Sequence, residues 1–215
     1  MKEKQKRVLM SIFGVILCGL MAGTVKYASF GVDPFQCFCF GMNGVVPLDY
    51  GTLYLLINLA LLLFALVADR HYVGFATVLN MLFLGYVVQF ACDAWAYLLP
   101  EPVLAVRIAL MATGLVGLCL SLSLYITADL GVSSYDAVAL LLTNKWHVAR
   151  FRVCRVMSDV VCVSLGAAMY LLGSGTMETL GSVAGIGTII TAFCMGPLIE
   201  VFNTHVSWPL LYGKA

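Results

Sequence analysis

Two similar segments hold the polar side chains with the clearest potential for chemistry. They read GVDPFQ over residues 31–36 and GVSSYD over residues 131–136. Aspartate, serine and proline favour the first positions of a helix, where side-chain oxygens accept hydrogen bonds from free backbone N–H groups. Those N–H groups, with the partial positive charge of a helix N-terminus, can also bind an anionic group. The candidate binding residues at the two helix starts are Asp33, Gln36, Ser133, Ser134 and Asp136.

Four further candidates are polar residues within strongly apolar segments, namely Asn58, Asn80, Asp159 and Thr188. Asp159 follows Arg155 by four residues, so the two share one face of a helix and can form an ion pair. Because buried polar groups need partners, the four residues could line one polar cavity, in which Asp159 would couple a proton or an ion. They could equally hold helices together in pairs.

No pattern typical of catalysis accompanies these residues. The sequence has no GxSxG, HExxH or GxxxxGK[ST] motif and no cluster of carboxylates. The three histidines fall near predicted helix ends, and the eight cysteines form no CxxC pair and lie mostly in apolar runs, as packing residues do. The basic residues do not gather on one face, as binding to nucleic acid would require. We therefore expect no enzyme, no cofactor, no metal ion and no nucleic-acid partner.

The elements that must position the candidates are membrane-spanning helices. The 215 residues are 62% hydrophobic and 11% charged, whereas roughly a quarter of the residues of a soluble domain are charged. Six apolar segments reach the length of about 20 residues that a bilayer demands. They run over about 8–30, 50–68, 73–98, 105–128, 153–172 and 180–202. The sequence thus predicts an all-α polytopic membrane protein, with residues 1–215 forming one transmembrane domain.

The distribution of basic residues predicts how these helices are oriented. Lysine and arginine accumulate on the cytoplasmic side of membrane proteins. With the N-terminus inside, ten of the 12 basic residues fall on the inner side, and Lys26 and Arg107 fall outside. The ten are Lys2, Lys4, Lys6, Arg7, Arg70, Lys145, Arg150, Arg152, Arg155 and Lys214. We therefore predict that both termini are cytoplasmic, in a cell inner (plasma) membrane.

The chain also resembles itself. ASFGVDPFQ (28–36) corresponds to ADLGVSSYD (128–136) at an offset of 100, and residues 74–89 correspond to 185–200 at an offset of 111. Within the second pair, glycine and threonine recur at matching positions. Outside these segments, Asn58 of the first repeat holds a place comparable to that of Asp159 in the second. The two repeats cover about 8–98 and 105–205. Because each holds three spans, the second must enter the membrane from the opposite side, as in many secondary transporters.

Two interpretations of the short helices stay open. They are predicted over about 34–42 and 135–144, after the first span of each repeat. Each could dip into the membrane, or each could be a connector in the plane of the interface whose cap satisfies only itself. The connector is favoured because the first span already reaches the far side, which leaves little chain for a deep hairpin.

Three segments resemble a known family of bacterial membrane proteins. GVDPFQ (31–36), GVSSYDAV (131–138) and GIGTIITAFCMGPLIEVF (185–202) look like the YczE/YyaS/YitT type, and the resemblance covers about 14–202. It implies a small multi-pass protein of the inner membrane and no particular substrate, since most such proteins have no established activity. Similar proteins often carry proline where this chain has Ser134, which weakens the case for a rigid helix start there.

Two classes of function follow as hypotheses. The first is a small transporter or permease for a polar or anionic solute, which depends on the inverted repeat and the capped short helices. The second is a non-transporting partner in the assembly or regulation of another protein. Apart from the lipid bilayer, a homodimer is a predicted partner state, because six helices enclose only a narrow cavity.

Overall fold

A computed structural model describes residues 3–48, 50–173 and 175–213, except for the side chains of residues 177, 178 and 182. The described residues form ten α-helices, joined by short loops. The helices are α1 (Glu3–Ala28), α2 (Pro34–Val45), α3 (Tyr50–Ala68), α4 (Phe75–Leu98), α5 (Leu104–Ala128), α6 (Ser134–Leu140), α7 (Phe151–Leu172), α8 (Met177–Val183), α9 (Ile186–Phe202) and α10 (Trp208–Tyr212). A 3-10 turn (Arg70–Tyr72) precedes α4, and π-helical turns extend α6 (Leu141–Lys145) and α9 (Asn203–Ser207).

The prediction of six membrane spans is confirmed. Six stretches of the described chain are long and apolar enough to cross a membrane: α1, α3, α4, α5, α7 and the region Thr179–Tyr212. Large apolar side chains such as Leu63, Phe90 and Phe193 are exposed along these helices. In a bilayer they would contact lipid. The protein is therefore an all-helical integral membrane protein.

The sequence had predicted one continuous helix for the sixth span, and the structure shows two. The span breaks at Ala184–Gly185, between α8 and α9. The loop after α1 occupies the break: Gly187 N–H donates to the Phe30 carbonyl at 2.8 Å, and the Thr188 hydroxyl donates to the Val32 carbonyl at 2.6 Å. These bonds pair backbone N–H and C=O groups that the break would otherwise leave without partners. The apolar pattern of the segment does not reveal the break.

Helices α1 and α5 form the centre of the molecule and run antiparallel. The Arg7 guanidinium near the start of α1 donates to the Ala128 carbonyl at the end of α5, at 3.1 Å. Reciprocally, Arg107 near the start of α5 donates to the Ala28 carbonyl at the end of α1, at 2.9 Å. The two bonds are related by the offset of 100 residues, so each helix closes the end of its counterpart.

The loops that follow α1 and α5 match at the same offset. Ser29 and Asp129 both have a φ of 57°, and Gly31 and Gly131 have φ of 117° and 97°. This left-handed backbone favours glycine, and it reverses the chain after each long helix.

Hydrogen bonds of these two loops also match each other. In the second loop, the Ala76 N–H donates to the Leu130 carbonyl at 2.9 Å, and the Thr77 hydroxyl donates to the Val132 carbonyl at 2.7 Å. These bonds are the counterparts of those that Gly187 and Thr188 make with the first loop. Each loop therefore docks on the start of the last long helix of the other half.

The two short helices are not connectors in the interface plane, so the favoured interpretation was wrong. The chain of α2 lies against the second half of α7, where Gly41 and Gly166 allow the two backbones to touch. The two helices run in the same direction, because Cys37 lies beside Gly166 and Gly44 beside Gly173. Likewise, α6 packs along α3, with Ser134 beside Asn58 and Lys145 reaching the Ala68 carbonyl. Both short helices thus begin near the middle of a long helix and end near its terminus.

The two faces of the protein can be assigned from contacts between helix ends. Arg7 bonds the Tyr212 hydroxyl at 3.0 Å and lies 3.8 Å from the Asp129 carboxylate, so both described ends of the chain share what we call the N-terminal face. The opposite face carries the end of α1 and the start of α5, which Arg107 joins. Lys2 and Lys214, which the charge count had used, lie outside the described residues.

Candidate functional site

A cavity of about 420 Å³ lies between α1, α3 and α4, beside the starts of both short helices. It extends from the last turn of α1 and the first turn of α3 inwards to Tyr125 and Arg155. Seven of the nine residues predicted to form a site line it, which brings together positions from both halves of the chain. They are Asp33, Gln36, Asn58, Asn80, Ser133, Ser134 and Asp136.

The deep end of the cavity holds a buried cluster of charges. Arg155, with 5% of its surface exposed, forms ion pairs with Asp136 and with Asp159, the latter at 3.3 Å. Tyr135 donates its hydroxyl to the other oxygen of Asp159 at 2.6 Å, and its ring lies under the guanidinium, 4.6 Å from ring centre to Cζ. The predicted pairing of Arg155 with Asp159 is present, and Asp136 adds a second carboxylate.

Hydroxyl groups complete the coordination of Asp136. Tyr125 and Ser133 both donate to its Oδ2 atom, the latter at 2.6 Å. Asp136 therefore has the Arg155 guanidinium on one oxygen and two hydroxyls on the other. Buried carboxylates are costly unless they are paired and hydrogen-bonded, and this carboxylate meets both conditions.

Both short helices are capped by their own side chains. Asp33 Oδ1 accepts hydrogen bonds from Phe35 N–H at 3.1 Å and Gln36 N–H at 3.2 Å. Ser133 Oγ accepts the N–H of Asp136 at 3.1 Å. The predicted caps at 33 and 133 are thus present, whereas Ser134 occupies the first helical position and instead donates to Asn58 Oδ1 at 2.8 Å. Protein atoms consequently use N–H groups that the sequence had offered to an anion.

Two of the nine predicted residues do not line the cavity. Asp159 is fully buried behind Tyr135 and Arg155, so it can influence a bound solute only through those two side chains. Thr188 is also fully buried, and its hydroxyl is committed to the carbonyls of Val32 and Val183. Thr188 therefore holds the first loop in the break between α8 and α9 and does not line this cavity.

Aromatic rings form one wall of the cavity, and sequence reasoning missed them. Phe35 and Tyr135, at equivalent positions of the repeats, stack with ring centres 4.9 Å apart. Tyr54 lies 5.7 Å from Phe35, and Tyr50 lies 6.0 Å from Tyr54. The recurrence of an aromatic residue at 35 and 135 was the available signal in the sequence. Tyr125 and the buried position of Arg155 had no such signal.

On the N-terminal side of the cavity, α7 and α9 are packed together. Gly196 of α9 faces the backbone of α7 so closely that a Cβ there would lie 2.6 Å from the Arg152 carbonyl. Arg152 and Glu200 form an ion pair at 3.8 Å on the same pair of helices. This contact, with the apolar cluster around Leu122 and Met195, closes the cavity towards that face.

On the opposite side, the equivalent helices are separated. Gly85, the counterpart of Gly196, has no atom of another segment within 4 Å of a Cβ built on it. With Asn58 aligned to Asp159, the counterparts of Arg152 and Glu200 are Gly51 and Gln89, and both line the cavity. Helices α3 and α4 make no extensive contact along their described lengths. The cavity therefore opens between them and towards the face opposite the N-terminal face.

Fold and cavity together define an all-helical integral membrane protein with a cavity that has a charged, hydrogen-bonded cluster at its deep end. The chain belongs to a family of unknown function, DUF6198, whose model matches residues 5–204. This membership confirms the resemblance that the sequence motifs had indicated.

Two curated bacterial proteins are similar over most of their length. An uncharacterized protein of Haemophilus influenzae is 24% identical over 201 residues, which cover 92% of this chain and 83% of that protein. The uncharacterized membrane protein YczE of Bacillus subtilis is 24% identical over 200 residues, covering 92% and 84%. No solved structure matches the chain.

Proposed function

We propose that this protein is a small carrier, a permease that moves a polar solute across the cell inner membrane by alternating access. Its two halves would be inverted repeats, and the termini would be cytoplasmic. The cavity would then be seen here open to the outside. The solute itself is not specified by the fold, which hosts functions only through its sites.

The observation that carries the proposal is the unequal packing of equivalent helices around one polar cavity. Gly196 and Arg152 close the α7–α9 pair, whereas Gly85 faces open space between α3 and α4. In inverted-repeat carriers, exchange of the conformations of the two halves moves access from one side to the other. Closure of α4 on α3, with opening of α9 from α7, would produce the opposite state here.

Of the polar or anionic solutes that the sequence predicts, the geometry supports polar solutes without a negative charge better than anions. Asp33 and Ser133 accept N–H groups at the two helix starts. The guanidinium of Arg155 is engaged by two carboxylates. An entering anion would have to displace these protein partners, whereas a neutral or cationic solute would not.

Uptake by reconstituted protein tests the proposal. Liposomes with purified protein should accumulate at least one solute of a broad radiolabelled panel above protein-free vesicles. Asp159→Asn should reduce that uptake about tenfold or more, because it removes a charge on which Arg155 and Tyr135 depend. Asp69→Asn is the matched control, since Asp69 caps the 3-10 turn away from the cavity.

Two results would count against transport. One is a panel without any flux above empty vesicles from folded, monodisperse protein. The other is equal uptake by the Asp159→Asn variant. A stable co-purifying protein in the absence of flux would instead support the alternative role as an assembly or regulatory partner.

A further inference from the structure

We infer that the cavity binds a small organic cation, such as an amine or a quaternary ammonium compound. The inference deepens the proposed function by naming a substrate class, and it rests on that function only for the step of transport. Three features of the cavity carry it: its charge balance, its aromatic wall and its apolar remainder.

Negative charge is in excess at the deep end of the cavity. One guanidinium, that of Arg155, is shared between the carboxylates of Asp136 and Asp159. Asp33 adds a third carboxylate on the cavity wall, and among the described residues no basic group lies within ion-pairing distance of it. Its Oδ1 atom accepts two backbone N–H groups, which leaves Oδ2 for a ligand. A cation at this point would balance the local charge.

The aromatic wall is placed to receive such a cation. Phe35 is adjacent in sequence to the cap pair of Asp33 and Pro34, and its ring contacts those of Tyr54 and Tyr135. Ring faces attract cations within about 6 Å, and clusters of rings recognise quaternary ammonium groups. The Arg155 guanidinium over Tyr135 already uses one ring in this way. Phe35, Tyr50 and Tyr54 also line the cavity, with Phe35 stacked on Tyr135 and Tyr50 stacked on Phe40.

The remaining lining indicates an organic ligand instead of a metal ion. Leu55, Met81, Leu84, Val88 and Leu118 also line the cavity. Cavities of several hundred Å³ with mostly apolar walls and few polar groups are typical of small-molecule sites. No group of three metal-ligating side chains is placed to hold a metal ion in the part of the chain that the structure describes.

One basic residue, Lys26, lies at the mouth of the cavity on the last turn of α1. Its side chain is exposed, and a lysine at a helix end can extend to the membrane surface. It therefore distinguishes two substrate classes. An anion site would depend on Lys26, whereas a cation site would be unaffected or strengthened by Lys26→Gln.

Direct binding tests the inference without any need for flux. The probes are tetramethylammonium, choline and tetraethylammonium, titrated by calorimetry onto full-length protein in nanodiscs. Two analogues that replace the trimethylammonium group of choline by tert-butyl serve as matched ligands: neutral 3,3-dimethyl-1-butanol and anionic 3,3-dimethylbutyrate. At least one cation should bind, and choline should bind about tenfold or more tightly than either analogue, because only the cation gains attraction from carboxylate and rings.

Variants then locate the site. Asp33→Asn should weaken cation binding about tenfold while preserving the helix cap, since asparagine caps as well as aspartate. Asp69→Asn, at the cap outside the cavity, and Lys26→Gln should not weaken it. Phe35→Leu should weaken the binding of the cations and leave the binding of the neutral analogue unchanged.

The inference is overturned if none of the three cations binds, if the neutral or anionic analogue binds as tightly as choline, or if Lys26→Gln abolishes binding. Cation binding without uptake in liposomes would retain the assigned ligand class and reject transport. Uptake of an anion without cation binding would do the reverse.

Discussion

At the scale of single residues, Arg155 is the centre of the buried charge cluster. It is buried on the second turn of α7 and holds two carboxylates that approach it from different helices. Ions taken from lipid or water into a protein need partners that replace their solvation, and loss of one partner leaves the others exposed to the full penalty. The members of the cluster therefore depend on one another for their stability in the fold.

Arg155→Leu should consequently lower the free energy of unfolding by about 3–5 kcal/mol, the range for breaking a buried ion pair. Arg152→Leu is the control on the same helix, because the ion pair of Arg152 with Glu200 is half exposed, at 50% and 41% of the two side chains, and such pairs contribute up to about 1 kcal/mol. Thermal or denaturant unfolding in detergent measures both. Equal losses for the two variants would contradict the assigned role of Arg155.

At the scale of helices, two equivalent pairs are found in different arrangements. The α7–α9 pair is in contact around Gly196, and the α3–α4 pair is parted around Gly85. Glycine at a crossing lets backbones approach in membranes. The glycine at position 85 has no such contact in this structure, so a closed state of α3 and α4 would account for its presence.

Gly85→Leu should therefore leave the stability of the protein within about 0.5 kcal/mol of wild type, as expected where open space surrounds the new side chain, but should prevent closure. Spin labels at Leu56 and Phe90, which are 47% and 66% exposed on α3 and α4, report the separation of the two helices in a cysteine-free background. Wild type should populate a short and a long distance, and Gly85→Leu only the long one.

The matched control for this prediction is Gly181→Leu, because Gly181 also has open space around it but lies on α8. It should leave both distances in place. A Gly85→Leu variant that still populates the short distance would show that α3 and α4 do not close on each other at this position.

At the scale of the whole molecule, the position of the chain ends determines which way the cavity faces. Arg7 and Tyr212 are hydrogen-bonded, so the described ends of the chain lie together, on the face away from the cavity mouth. The excess of inner basic residues, which predicts cytoplasmic chain ends, becomes slightly smaller, because Arg155 is buried and is not a charge at the membrane interface. Without it, the sequence count is nine basic residues against two.

Reporter fusions test this orientation. Green fluorescent protein fused after residue 213 should fluoresce, and alkaline phosphatase at the same point should be inactive, because phosphatase folds only outside the cytoplasm. Phosphatase inserted between α7 and α8 should be active. Active phosphatase at the C-terminus would reverse the orientation and make the cavity of this structure face the cytoplasm.

Much of the fold and part of the site follow from the sequence alone, because their causes are local. Apolar length sets the six spans, and the capping residues at 33 and 133 set the starts of α2 and α6 within a residue. The repeated motifs also indicated which polar side chains would gather, and seven of the nine line one cavity. Apolar length and caps are each contained within about twenty neighbouring residues, and the repeat is recognised by comparing two such segments of the sequence.

Only the tertiary structure decided how these pieces meet. The pairing of Asp136 with Arg155, the stacking of Phe35 on Tyr135 and the docking of the first loop into the break before Gly187 join segments that are distant in the chain. Apolar patterns cannot reveal such contacts, because in lipid every span is apolar on all sides and the pattern does not mark which face meets another helix. Apolar patterns also do not show which helix pairs touch. The α7–α9 pair is in contact at Gly196, whereas the similar α3–α4 pair is separated at Gly85.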